Sequence, residues 1–264
     1  MPADPAGPID LADYESGLDK PKDYEEKLEA LQKRLERIQV AHIVNNRRAV
    51  IAMEGWDAAG KGGLIQRMTA EWDPRFFEVW PIAAPTAEEK AHHFLWRFWK
   101  RLPADRTIAV FDRTWYGRVL VERVEGFASA AEWRAAYDEI NAFEAQQIAH
   151  GTTMVKVFLH VTQKKQDEEF AERLDDPWKH WKTGLEDYRN RARRADYIDA
   201  MHEMFARTNT PAAPWIVIDG NNKKAARLVA LEAIADRLET SVPMKPPTLD
   251  PEVRRVAEAA LGRK

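Results

Sequence analysis

The chain has 264 residues, enough to bury one substantial core with appendages, and it carries no cysteine, which excludes a disulfide scaffold and thiolate chemistry. Its formal net charge is only −3, so attraction for a polyanion has to come from local clusters of Lys and Arg rather than from an overall field. No apolar run approaches the roughly 20 residues that span a bilayer, and Met1 to Lys20 lacks a basic-then-apolar leader pattern, so a cytoplasmic protein without a membrane partner is expected.

Residues 1–20 are rich in Pro, Gly, Ala and Asp without periodicity and read as a flexible arm, laid on the surface or disordered. From Pro21 to about Asn45, Leu28, Leu31, Leu35, Ile38 and His42 recur at helical spacing, which predicts a long amphipathic helix packed on its own domain in preference to another subunit. Ala49 to Met53 is a short strand, followed by the turn Gly55-Trp56-Asp57-Ala58-Ala59-Gly60-Lys61 and a helix opening at Gly62 and Gly63. Glycine, four residues, glycine, lysine is the spacing of a phosphate cradle, with backbone N–H groups of Gly55, Ala58, Ala59, Gly60, Gly62 and Gly63 turned towards an anion. Lys61 reaches a phosphate oxygen in this reading. Gly62 stands where a Ser or Thr hydroxyl normally holds Mg²⁺, so the metal needs another ligand, and Asp57 is the nearest carboxylate. The plain alternative is a Gly-rich turn that only opens a helix.

Phe77 to Ala83 reads as a second strand and completes a β-α-β unit. A helix is predicted from Thr86 through Arg101, with an N-cap at Thr86 and acidic residues behind it. His92 and His93 diverge by about 100° on such a helix and do not grip one ion easily. Arg97 and Lys100 either line an anion path or form a solvated basic face. Arg106 to Phe111 is a third strand that delivers Asp112 at its carboxyl end, where parallel sheets bind ligands, and Asp112 is therefore expected to join Asp57 on a metal. Arg113 beside it should face phosphate, the alternative being an Asp–Arg structural pair.

Ser129 to Gly151 is a capped helix whose Trp133, Tyr137, Ile140, Phe143 and Ile148 read as core, and Thr153 to Val161 is a fourth strand. The charged stretch Gln163 to Leu174 is helical in pattern and leads into Asp175-Asp176-Pro177-Trp178-Lys179-His180-Trp181-Lys182. Four arginines then fall within six positions, at 189, 191, 193 and 194. A basic, Trp-containing insertion past the strand ends suits a lid over phosphates at about 173–195, a solvated helix face being the bland alternative. Pro214 to Asp219 is a fifth strand, Asn222 to Thr240 a closing helix, and the Pro-rich stretch from Val242 a linker with a short terminal helix.

Four blocks in this order resemble the polyphosphate kinase 2 family: G-x-D-A-A-G-K-G-G, F-D-R-[ST]-W-Y-G-R-V-L-V-E-R-V-E-G-F, D-P-x-K-x-W-K, and T-N-T-P-A-A-P-W before the last strand. The resemblance implies an α/β, P-loop kinase-like three-layer αβα sandwich over residues 21–240, similar to thymidylate kinases, with a parallel five-stranded sheet and a helical lid. The arm at 1–20 and a tail at 241–264 flank it. It implies transfer of phosphate between inorganic polyphosphate and an adenine or other nucleotide with Mg²⁺, in a homo-oligomer, dimer or tetramer. Asp57 and Asp112 then correspond to metal and acceptor-phosphate carboxylates, and Lys61 and Arg113 to ligands of the transferring phosphate. Arg173, Lys179 and Lys182 correspond to lid cations with Arg189 beyond them, and Arg118 and Glu122 to supports of the site. Gly117, where diphosphate-preferring relatives tend to carry Asn, and the run V-L-V-E-R-V-E-G-F lean towards AMP as acceptor, with ADP second.

The chain departs from the pattern in two places. Glu169 stands where relatives usually have Arg, and Lys164-Lys165 replace an acidic pair, either a swap of charges at the lid base, altered chain binding or reduced activity. The rival readings are an ATP-dependent nucleoside monophosphate kinase and a non-catalytic binder of single-stranded nucleic acid. The second is disfavoured by aromatic residues at core spacing.

Overall fold

Val50, Ile51 and Ala52 are fully buried, as are Val110 and Phe111 and most of the fourth strand, so these runs are apolar on both faces and belong inside a parallel sheet covered by helices. The computed structural model describes residues 7–263. In it the strands are β1 (Arg48–Gly55), β2 (Phe77–Pro81), β3 (Ile108–Asp112), β4 (Thr152–His160) and β5 (Trp215–Asp219), all parallel, in the order β2-β3-β1-β4-β5. The helices are α1 (Tyr24–Val44), α2 (Lys61–Met68), α3 (Ala87–Lys90), α4 (Trp96–Trp99), α5 (Val121–Val124) and α6 (Ala130–Ala149). They continue with α7 (Gln163–Asp175), α8 (Leu185–Ala192), α9 (Arg194–Thr208), α10 (Lys223–Glu239) and α11 (Pro251–Leu261).

Helices α1, α2 and α10 pack together on one face of the sheet and α6 and α9 pack together on the other, which makes three layers. Leu35 and Ile38 of α1 are fully buried, so its stripe is spent on the domain itself. The sheet places the site through its order: the chain returns to opposite sides of β1, to β3 and to β4, and the crevice beyond the carboxyl end of β1 is the switch point where such sheets bind ligands.

Three features differ from the sequence expectation. The helix predicted from Thr86 to Arg101 is two short pieces, because the capping box of Thr86 and Glu89 starts a helix that stops at Ala91. His93 then takes over backbone groups, its carbonyl accepting from Trp96 N at 2.8 Å. The segment after the four arginines, to which no element was assigned, is the amphipathic helix α9, with Tyr197, Ala200, Met201, Met204 and Phe205 buried. In the stretch read as an arm, residues 1–6 lie outside the described residues, whereas Leu11–Tyr14 form a 3₁₀ turn with Leu11 only 2% exposed, and Gly17 N donates to Asp219 Oδ2 at 2.7 Å. Among the described residues no helix is long and apolar enough to cross a membrane.

Candidate active site

The turn after β1 is shaped by a close approach. Gly55 has φ 137°, and a Cβ there would lie 2.3 Å from the Leu159 carbonyl oxygen of the neighbouring strand, so only glycine fits. Ala58 at φ 64° and Gly60 at φ 102° turn the chain over the start of α2, whose first N–H groups have no partner within the helix. A left-handed alanine costs about 1 kcal/mol or more and persists where the surroundings over-determine it. Lys61 is buried and folds back across the turn, its Nζ donating to Gly55 O at 2.8 Å and Trp56 O at 3.1 Å. An ammonium has three donors, which leaves one for a ligand.

Asp57 stands at the crown of this turn. Its Oδ1 accepts from Arg113 Nη2 at 2.8 Å, its Oδ2 accepts from Asn190 Nδ2 at 3.1 Å, and its backbone carbonyl accepts from Gln166 Nε2 at 3.1 Å. Burial alone would raise the Asp57 carboxyl, but the Lys61 and Arg113 charges and the Asn190 bond outweigh it and hold the group below the usual carboxylate range. Asp112 ends β3 opposite Met53 of β1 and accepts no side-chain hydrogen bond among the described residues. The next residue, Arg113, is left-handed at φ 64° and donates its N–H to Met53 O at 3.0 Å. Beneath it, buried Glu54 accepts from Thr114 N at 2.8 Å and Thr114 Oγ1 at 2.7 Å, a carboxyl that burial pushes up and those two bonds pull down.

These groups open on one cleft of about 1010 Å³. Of the residues singled out in the sequence, Asp57, Ala58, Ala59, Gly60, Lys61, Gly62, Gly63, Asp112, Arg113, Arg173, Lys179 and Lys182 line it. Gly55 lies just below, closing the turn. Arg118 and Arg189 do not line it: Arg118 pairs with Glu122 at 3.2 Å, and Arg189 pairs with Glu125 at 2.8 Å. Arg97 is committed to Ala83 O and Glu89, and Lys100 lies over the Trp96 ring. His92 stacks on Trp96 at 4.0 Å, and among the described residues no group of three or more His, Cys, Asp and Glu is disposed to hold a metal. Glu169, the departure at the base of the charged helix, is paired with Lys165 at 3.0 Å and with Lys223.

Sequence reasoning missed the far wall. Arg67 of α2 and Arg227 of α10 line the cleft beside Gly63, where an added Cβ would lie 3.3 Å from Arg227 Nη2 and 3.6 Å from Arg67 Nη1. Arg227 makes no hydrogen bond or ion pair among the described residues, and the Lys182 ammonium has only the Trp181 ring at 5.1 Å. Also missed was the buried network that holds the loop after β3. Glu144 accepts from Trp115 Nε1 at 3.0 Å and Tyr116 OH at 2.6 Å, and Lys156 donates to Glu144 at 2.9 Å and Thr208 O at 2.7 Å. Burial pushes the Tyr116 phenol up and the Lys156 ammonium down.

Comparison with known proteins places the chain in a family. The family model described as Polyphosphate kinase 2 matches residues 18–246. A polyphosphate:AMP phosphotransferase of Pseudomonas aeruginosa is 45% identical over 238 residues, covering 90% of this chain and 48% of that protein. An ADP-polyphosphate phosphotransferase of Rhizobium meliloti is 38% identical over 216 residues, covering 82% of this chain and 71% of its own. The crystal structure of a polyphosphate kinase 2 from Arthrobacter aurescens superposes with a TM-score of 0.86 at 35% identity, covering 96% of this chain and 91% of that one. The chain spans about half the length of the polyphosphate:AMP phosphotransferases it matches.

Proposed function

Because the chain belongs to the polyphosphate kinase 2 family, we propose that it is a phosphotransferase moving phosphate between inorganic polyphosphate and a nucleotide, with AMP the first acceptor and ADP the second. The observation that carries the reading is the cleft itself, where Asp57 of the phosphate turn and Asp112 at the end of β3 face cations from α2, α7, α10 and the segment 177–182. Among the described residues lining it, Trp181 is the sole aromatic side chain. A donor recognised by its base would call for more apolar wall, whereas a chain of phosphates needs charge along its length.

Asp57 and Asp112 suit a divalent cation, Mg²⁺ first. They are two hard oxygen donors beside a phosphate turn, and Mg²⁺ typically takes one or two carboxylates and completes its shell with water and substrate phosphate. When bound, the ion would neutralise charge on the phosphoryl group in transfer. The rest falls to the chain. The α2 N-terminus and the turn N–H groups hold the donor's terminal phosphate, and Lys61 swings its third donor onto it. Arg113 spans donor and acceptor, keeping the attacking acceptor oxygen in line. The segment at about 173–195 acts as a lid that brings Arg173, Lys179 and Lys182 over the chain and excludes water. A cytoplasmic homo-oligomer with residues 21–240 as its kinase domain completes the proposal.

The test offers purified protein and Mg²⁺ either polyphosphate or ATP as donor and AMP or ADP as acceptor, with products separated by chromatography. ADP formed from AMP and polyphosphate is the expected result. Turnover with ATP and none with polyphosphate would overturn it.

A further inference from the structure

His160 ends β4 directly under the phosphate turn and is fully buried. Its Nδ1 lies 2.9 Å from the indole Nε1 of Trp56, the second residue of the turn. An indole N–H only donates, so Nδ1 has to be the bare, accepting nitrogen. The ring proton then sits on Nε2, and 3.0 Å from Nε2 is Glu15 Oε1. The tautomer is thereby assigned from chemistry, with a direction: Trp56 gives to His160, and His160 gives to Glu15. Burial lowers the His160 pKa more than Glu15 raises it, which keeps the ring neutral; Arg194 from α9 opposes protonation and Asp219 from β5 favours it.

Trp56 is where the turn is anchored. Its N–H donates to Leu159 O at 3.2 Å, and its carbonyl accepts from Ala59 N at 3.2 Å and from Lys61 Nζ. Its indole lies under the Arg194 guanidinium at 4.0 Å and beside Tyr197. A shift of this ring moves the carbonyl that holds Lys61. Glu15, at the other end of the relay, precedes the segment matched by the family model, residues 18–246. It is nevertheless fixed on both sides, by Leu11 in the core and by the Gly17 N–H on Asp219.

We propose that Glu15 and His160 are positioning residues for the phosphate turn, and that the arm before residue 18 thereby sets the affinity of the site for phosphate. The kinetic half rests on the phosphotransferase reading, while the spectroscopic half stands without it. The experiment follows the Trp56 indole N–H resonance of the full chain, labelled with ¹⁵N and assigned by its loss in Trp56→Phe. Glu15→Ala should move that resonance and raise the KM for polyphosphate about two- to tenfold, the range of one hydrogen bond, with kcat and the KM for AMP little changed. Glu15→Gln keeps an acceptor oxygen and should restore both.

His160→Asn puts an amide oxygen where Nδ1 was and keeps the Trp56 bond, but it no longer reaches Glu15. In that background Glu15→Ala should add nothing. An indole resonance unmoved by Glu15→Ala, or costs of Glu15→Ala and His160→Asn that simply add, would overturn the proposal. Absence of transfer from any donor would strike the phosphotransferase reading and leave the resonance to decide the relay.

Discussion

On the wall built by β1 and β3, Asp57 is gripped by Arg113 and Asn190, Arg113 is tied to Met53, and Thr114 is tied to buried Glu54, all at 2.7–3.1 Å. Across the cleft, Lys179 is held by Glu172 at 2.5 Å and Asp176 at 3.3 Å, and Arg173 by Asp187 at 3.7 Å, while Trp178 and Trp181 are 88% and 79% exposed. The first wall rests on buried Glu54 and on Asp57, whose oxygens are both engaged, with half-exposed Arg113 tied down at its backbone and at its guanidinium. Its geometry therefore exists before any ligand arrives, as electrostatic preorganisation requires. The second wall stores Lys179 on its own carboxylates at the surface, where such pairs contribute about 0–1 kcal/mol each and are readily exchanged for a phosphate chain, while Arg173 sits on largely buried Asp187. The preformed wall is where chemistry belongs, and the exchangeable one is where a long polyanion is gathered.

If that division holds, the largest effect belongs to the first wall. Asp112→Asn removes a charge from a position where it has no hydrogen-bonded partner among the described residues, so the fold should survive with an unchanged melting temperature. Turnover should fall on the order of 10²–10³-fold, the loss typical of one positioned group. A variant that keeps most of its kcat would move Asp112 out of the site.

Next is Arg227→Gln, on the far side of the turn. Arg227 has no ion pair to lose, so stability should not change. The KM for polyphosphate should rise on the order of tenfold, the loss of one charge-assisted contact, and the KM for AMP should stay put. An equal rise in both would place Arg227 on the acceptor side.

The parts of this arrangement that were legible in the sequence are those carried by local spacing. The turn Gly55 to Lys61, the apolar strands and Asp112 at a strand end follow from residue order, as does the helix Ala130–Ala149 with its Ser129 cap. Helix α9 was equally readable, since Tyr197, Ala200, Met201, Met204 and Phe205 recur at helical spacing, but the arginine cluster before it masked its start. Arg67 and Arg227 were not readable, because a cation facing a cleft from a helix looks in sequence like one facing water. Pairings such as Asn190 with Asp57, 133 residues apart, exist only through the sheet order that brings α8 over β1. Lys156 on Glu144 is closer in sequence, 12 residues apart on consecutive α6 and β4, but a lysine inside an apolar strand gives no sign of which carboxylate it meets.

Acid should act at smaller amplitude, through two rings that lie outside both walls. His42 and His160 are buried and held neutral, burial lowering both below the ordinary imidazole value. A depressed folded pKa means that the unfolded chain takes up the proton first. Stability is then full above about pH 6.5 and is lost as pH falls towards the folded values. The melting temperature should drop as the pH falls below about 6.5, with a smaller drop in His160→Asn. A flat profile in the parent chain would mean that neither ring is neutral in the fold.

The smallest expected effect tests the second wall directly. Glu172 holds Lys179 at 2.5 Å and lies 4.0 Å from Lys223, with side chains 53%, 34% and 34% exposed. If these lysines are a reserve released to the polyanion, Glu172→Gln lowers the cost of release and leaves one more positive charge in the cleft. The KM for polyphosphate should then fall, by no more than about fivefold given what exposed pairs contribute. The gain should shrink at 200 mM salt, where the Debye length is about 7 Å. If the KM instead rises, the Glu172–Lys179 pair is holding the ammonium where the phosphate chain needs it, and the second wall is preformed like the first.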